Sequence, residues 1–248
     1  MVKSLVGAFA LLAVYSTSWV NPPAVPLSQA PHSAKQSNDG SEIATYYWGF
    51  FVSGHNREKL PEAEAERLQK EHIGNLERLH AEGKLLMAGP LGDAGRLRGI
   101  VVLKVGTAAE VEECFKADPF VKMGRLEMES YRWFTPNGAI KEPGQPIKME
   151  EYRLGVVKKG PAWSADRTSG AEQLQEGHMR NIRKMADAGI LALAGPLEEA
   201  GDLRGIFVFR TKDEEKIRSM VGEDPAVQAA MLRVDLYPVY LAAGVLGP

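Results

Sequence analysis

Residues 72–91 read HIGNLERLHAEGKLLMAGPL and residues 178–197 read HMRNIRKMADAGILALAGPL. The two stretches share His72 with His178, Asn75 with Asn181, and Ala88-Gly89-Pro90-Leu91 with Ala194-Gly195-Pro196-Leu197, at a fixed offset of 106 residues. The same offset runs without a gap from Tyr46 and Tyr152 to Tyr131 and Tyr237. On the way it pairs Gly49 with Gly155, Leu97-Arg98-Gly99-Ile100 with Leu203-Arg204-Gly205-Ile206, and Asp118-Pro119 with Asp224-Pro225. A constant register over roughly 90 residues marks a duplicated domain, because solenoid repeats recur every 20 to 50 residues or so.

Periodicity inside the first copy orders its elements. Tyr46–Val52 is aromatic-rich and reads as a strand, and Pro61–Glu82 carries a helical pattern that Gly83 ends. Two strands follow, Lys84–Ala88 and Gly99–Val105. Thr107 caps a helix through Lys116, Asp118-Pro119 starts a short helical turn, and the alternating stretch Leu126–Phe134 is a fourth strand. The second copy repeats this order. The result is βαββαβ, the split ferredoxin-like arrangement, with both helices on one face of an antiparallel sheet. The other face needs cover, so the expected α+β fold packs the two tandem domains against each other as an intramolecular pseudo-dimer.

These readings place domain one at 46–136 and domain two at 152–241. The Pro- and Gly-rich segment 137–151 joins them as a linker. Ahead of them, Lys3 precedes a short apolar run, Leu5–Val14, and small polar residues, which is the order of a secretory signal peptide over 1–18. The run is shorter than the roughly 20 residues of a membrane span; retention as an N-terminal anchor is the alternative. Residues 19–45, poor in large apolar groups, read as a disordered leader. The expected location is therefore periplasmic or extracellular, without stable membrane association after cleavage.

Composition is ordinary, 44% hydrophobic and 25% charged with net charge −2, which argues against a nucleic-acid partner. The single cysteine, Cys114, leaves no internal disulfide and sits in a helical pattern as a buried, inert thiol. There is no dinucleotide or phosphate-loop glycine motif, no H-E-x-x-H and no zinc spacing, so no cofactor is expected and no metal site is assigned.

Leu68, His72, Leu76 and Leu79 form one helical stripe, matched by Leu174, His178, Ile182 and Met185. A histidine on an apolar stripe is commonly a core residue. Its retention in two otherwise diverged copies points instead to acid–base work, for which imidazole suits near-neutral pH. Asp118 and Asp224 each precede a proline, where a carboxylate caps a helix start. The second carboxylate oxygen remains available to an imidazole N–H. Gly89-Pro90 and Gly195-Pro196 leave their strands where a ligand can approach the backbone, and Arg98 and Arg204 offer guanidinium groups to a ligand carboxylate. All six are substrate-binding candidates, with a plain turn and a salt bridge as the alternatives. Asn75 and Asn181 are supporting candidates.

His72, the run Gly83-Lys84-Leu85-Leu86-Met87-Ala88-Gly89-Pro90-Leu91, Arg98-Gly99 and Ala117-Asp118-Pro119-Phe120-Val121 together resemble a YciI-like (YCII-related) domain, and the second copy resembles it again. The resemblance implies a dimeric α+β barrel and a His–Asp acid–base pair, His72 with Asp118 and His178 with Asp224, as catalytic residues. It further implies elimination or isomerisation of a small organic molecule. The second copy departs at Ala226, which stands where the first has Phe120, and loss of that aromatic wall is expected to widen its pocket or shift its selectivity. Two other roles remain: a non-catalytic binder of a small molecule, and a structural scaffold. Pseudo-dimers can also assemble into a larger homo-oligomer.

Overall fold

The structure, a computed structural model, describes residues 42–164 and 170–247. The expected signal segment, most of the expected leader and residues 165–169 lie outside them. Copy one contains β1 (Ile43–Ser53), α1 (Glu62–Ala81), β2 (Leu85–Pro90), β3 (Leu97–Leu103), α2 (Ala108–Phe115), α3 (Pro119–Lys122) and β4 (Leu126–Pro136). Copy two contains β5 (Met149–Lys159), α4 (Ala171–Asp187), β6 (Leu191–Glu198), β7 (Leu203–Phe209), α5 (Glu214–Gly222), α6 (Pro225–Gln228) and β8 (Leu232–Ala242). The expected βαββαβ order is present twice.

Two boundaries differ from the sequence reading, both at central strands. β1 begins at Ile43, inside the expected leader, because Ile43 to Thr45 pair with Pro136 to Phe134 of β4. β5 begins at Met149, inside the expected linker, because Met149 pairs with Ala242 of β8. A strand flanked by long partners is extended by their ladder, whatever its own terminal residues favour. Residues 137–148 contain neither helix nor strand.

All strand pairs are antiparallel, in the order β2-β3-β1-β4-β6-β7-β5-β8. The copies meet where Arg132 and Trp133 of β4 pair with Glu198 and Leu197 of β6, reinforced by an Arg132–Glu198 ion pair at 2.5 Å. The remaining edges meet through a bridge between Leu91 and Val239, beside a 2.8 Å bond from the Gly92 N–H to the Pro238 carbonyl. The sheet thus closes on itself as an eight-stranded α+β barrel, with both edges protected.

Alternation along the strands builds two kinds of core. Tyr46, Trp48, Phe50 and Val52 of β1 point into the barrel with Ile100, Val102, Trp133 and, from copy two, Leu154, Val156, Ile206 and Val208. On the opposite face of β1, Tyr47 and Phe51 pack with Val101, Leu103 and the α1 and α2 residues Leu79, Val111 and Phe115. Copy two builds the equivalent helix-side core from Val157, Phe207, Phe209, Met185, Ile190 and Ile217. The candidate histidines face this second kind of core, between helix and sheet.

Candidate active site

α1 carries His72 on its buried stripe with Leu68 and Leu79. α2 is held at its start by a capping box in which Thr107 and Glu110 satisfy each other's backbone N–H groups. Its end leads into Asp118, the N-cap of α3, whose Oδ1 accepts from the N–H groups of Phe120 (3.1 Å) and Val121 (3.5 Å). Oδ2 lies 2.7 Å from His72 Nδ1. Copy two repeats the arrangement: Asp224 Oδ1 accepts from the Ala226 N–H at 2.8 Å, and Oδ2 lies 2.6 Å from His178 Nδ1. Capping and imidazole contact, compatible because a carboxylate has two oxygens, are both present in each copy. The two carboxylates are essentially buried, at 0% and 2% exposure, so neither oxygen is left to water.

A carboxylate only accepts, so Nδ1 carries the proton and Nε2 is left with the lone pair. That tautomer is the one in which a histidine can take a proton while the carboxylate steadies the resulting imidazolium. His72 and His178 are both largely buried, with side chains 11% and 16% exposed.

The surrounding walls differ. His72 meets the edge of Phe51 at 5.4 Å and the tilted ring of Phe120 at 5.5 Å. Val157 and Ala226 occupy those positions in copy two, where Phe207, the counterpart of Val101, instead stacks on His178 at 6.4 Å. Beside Ala226 the helix packing also differs between the copies. Gly177, which replaces Glu71, has no room for a Cβ: one would sit 2.7 Å from Pro225 Cγ. α4 therefore packs directly on Pro225, the residue before Ala226 in α6. Sequence reasoning missed Phe51, Phe207 and Gly177. The signal was present in the repeat, as a phenylalanine that moves from β1 to the counterpart of β3, and a helical glycine beside the histidine.

A Cβ on Gly89 would run into the Tyr240 carbonyl, and one on Gly195 into the Phe134 carbonyl and the Trp133 indole, 2.5 Å from its Nε1. These glycines, with Pro90 and Pro196 beside them, give close backbone approach to the last strand of the other copy. Arg98 and Arg204 bond within their own turns. Arg98 donates to the carbonyls of Gly95 (2.6 Å) and Leu97 (3.0 Å), and Arg204 donates to the Gly201 carbonyl and lies 5.0 Å over the Trp163 ring. Burial lowers the pKa of both guanidinium groups, and at Arg98 the Arg57 charge adds to the effect. Their own turns supply carbonyl acceptors within reach, and those acceptors set their direction.

Asn75 and Asn181 touch neither aspartate. They bond the backbone carbonyls of Cys114 (3.2 Å) and Met220 (3.0 Å). Burial raises the Cys114 thiol pKa, which keeps it a poor nucleophile. Among the described residues, no group of three or more His, Cys, Asp or Glu side chains is placed to hold a metal ion. No helix among them is long and apolar enough to cross a membrane.

Residues 50–134 match the YCII-related domain family. No curated protein matches the chain. Solved structures similar to it include a mutant chlorite dismutase from Candidatus Nitrospira defluvii, at 14% identity and a TM-score of 0.53 over 82% of this chain and 92% of that one. A second is a heme-binding protein from Thermus thermophilus, at 14% identity and a TM-score of 0.52 over 84% of this chain and 95% of that one. At such identity the likeness is one of fold: a pair of ferredoxin-like units closed into an α+β barrel.

Proposed function

We propose, from a chain whose residues 50–134 are a YCII-related domain and whose second copy repeats that domain element for element, that each copy is a cofactor-independent acid–base catalyst. Its substrate is a small organic molecule, and its reaction an elimination or isomerisation. Nε2 of His72 or His178 exchanges the proton, while Asp118 or Asp224 holds the ring in one tautomer and stabilises the imidazolium. The observation that carries this reading is the recurrence of one geometry, Nδ1 to Oδ2 at 2.7 and 2.6 Å, in copies whose surrounding walls have changed. A positioned acid–base group supplies roughly 10²–10⁴-fold.

The test is turnover by the His72→Gln/His178→Gln double variant on a substrate found by screening small cyclic and aromatic organic acids. A loss of about 10²-fold or more is expected, and unchanged turnover removes the proposal. Ligands that bind the native chain, yet are never converted, would favour a non-catalytic binder.

Export is proposed on the pattern of Lys3, the apolar run Leu5–Val14 and the small residues after it. The mass of the chain recovered from the producing cell tests this: a cytoplasmic protein retaining residues 1–18 would refute it.

A further inference from the structure

Asn75 lies three residues after His72 and Asn181 three after His178, so each shares its histidine's side of the helix. Their amide Nδ2 atoms donate to the carbonyls of Cys114 and Met220, at 3.2 and 3.0 Å. Each carbonyl stands four residues before the aspartate of its copy, in the last turn of α2 or α5; that of Met220 also accepts from the Glu223 N–H at 3.3 Å. The helix that bears the imidazole is thus pinned to the segment that delivers the carboxylate, one turn away from the place where the two side chains meet. In copy one the amide is oriented as well, because Asn75 Oδ1 accepts from Arg78 at 2.8 Å and so turns Nδ2 to the carbonyl.

We propose that Asn75 and Asn181 are positioning residues, which set the approach of the imidazole to the carboxylate and so keep each Nδ1–Oδ2 bond short. The inference rests on the acid–base reading only for the meaning of that bond, since the bond itself is measured without turnover. The same donor meets the equivalent carbonyl in both copies, while the residues around it have diverged: Cys114 became Met220 and Leu76 became Ile182. Copy two has further ties across the gap. Lys184 pairs with Glu223, next to Asp224, and Gly177 seats Pro225 against α4. Copy one has Ala117 and Glu71 at the positions of Glu223 and Gly177, and depends more heavily on Asn75.

The experiment follows the hydrogen-bonded Nδ1 proton of each imidazole by NMR in the full ¹⁵N-labelled chain, assigned through His72→Gln and His178→Gln. In Asn75→Ala the His72 proton should exchange with solvent about tenfold faster, or vanish, the size expected when one intramolecular hydrogen bond is lost. The His178 proton in the same molecule should stay as it was and so certify the fold. Asn181→Ala should speed exchange of the His178 proton by a smaller factor. An unchanged His72 signal in a folded Asn75→Ala chain overturns the proposal. If that variant does not fold, Asn75→Ser is read in its place. Loss of both protons together in both variants also overturns it, because the amide would then hold the domain and not the imidazole. In a His178→Gln background, where only copy one can turn over, a lost His72 signal with turnover intact would instead sink the acid–base function and leave the positioning role standing.

Discussion

The two helix-to-sheet interiors hold the same His–Asp pair inside different walls. In copy one Phe51 from β1 and Phe120 from α3 crowd His72. In copy two both are replaced, by Val157 and Ala226, and an aromatic ring arrives from the other side as Phe207. The helix has adjusted too: α4 buries Gly177, Asn181 and Met185, whereas α1 buries Leu68, His72 and Leu79. What stayed fixed through these exchanges is a bond of 2.6 to 2.7 Å and the backbone donors that hold the other carboxylate oxygen. Packing tolerates compensating changes of shape. A buried carboxylate with all its partners assigned does not.

The aspartates should therefore show the largest effects. Asp118→Ala removes a cap, worth about 0.5–2 kcal/mol, and leaves a buried imidazole unpaired, at about 1–3 kcal/mol. A loss of about 3 kcal/mol is expected from urea unfolding. Asp224→Ala should cost less, about 2 kcal/mol, because Asp224 accepts from one backbone N–H where Asp118 accepts from two, and because Pro225 remains seated on Gly177. Equal losses, or a larger one in copy two, would break the comparison by showing that the local ties do not matter.

The walls come next. Ala226→Phe restores the residue of copy one to a position that is 7% exposed, so overpacking of about 1–3 kcal/mol is expected. Phe120→Ala, at a half-buried ring, should cost about 1–2 kcal/mol, below the figure for a full core phenylalanine. If the first exchange proves neutral, the second pocket has room for a ring after all, and the account of Gly177 as a compensating change fails. Pairing Ala226→Phe with Phe207→Val sharpens the point. Moving the ring back should recover stability only if the two positions share one space.

Much of this could be read in the chain before any coordinates. The repeat fixed the number of domains, the change from period 2 to 3.6 fixed their element order, and a His and an Asp 46 residues apart in both copies named the pair. What sequence could not supply was direction. Gly89 says that something comes close, but only the closed barrel shows that it is the Tyr240 backbone. Arg98 shows a guanidinium, but only the folded turn shows that it bonds the Gly95 and Leu97 carbonyls. The same holds for Asn75: its place on the helix was plain, while its partner, a main-chain oxygen 39 residues on, depends on how α2 is laid across α1.

The smallest expected effect tests the comparison at the turn into the last strand of each copy. Gly124 adopts φ 66° and its counterpart Ala230 φ 53°, a left-handed conformation that strains any residue with a Cβ. A Cβ on Gly124 would strike the His55 ring; copy two has Pro161 in place of His55, and there an alanine is accommodated. Relief of strain in Ala230→Gly outweighs the added freedom of the unfolded chain, so a gain of about 0.5 kcal/mol is expected. Gly124→Ala should lose about 1.5 kcal/mol, the same strain plus displacement of the His55 ring. Making Gly124→Ala in a His55→Ala background separates the two contributions. If the loss shrinks to the size of the Ala230→Gly gain, conformation alone accounts for what remains, and the two turns differ only by the neighbour that copy one kept.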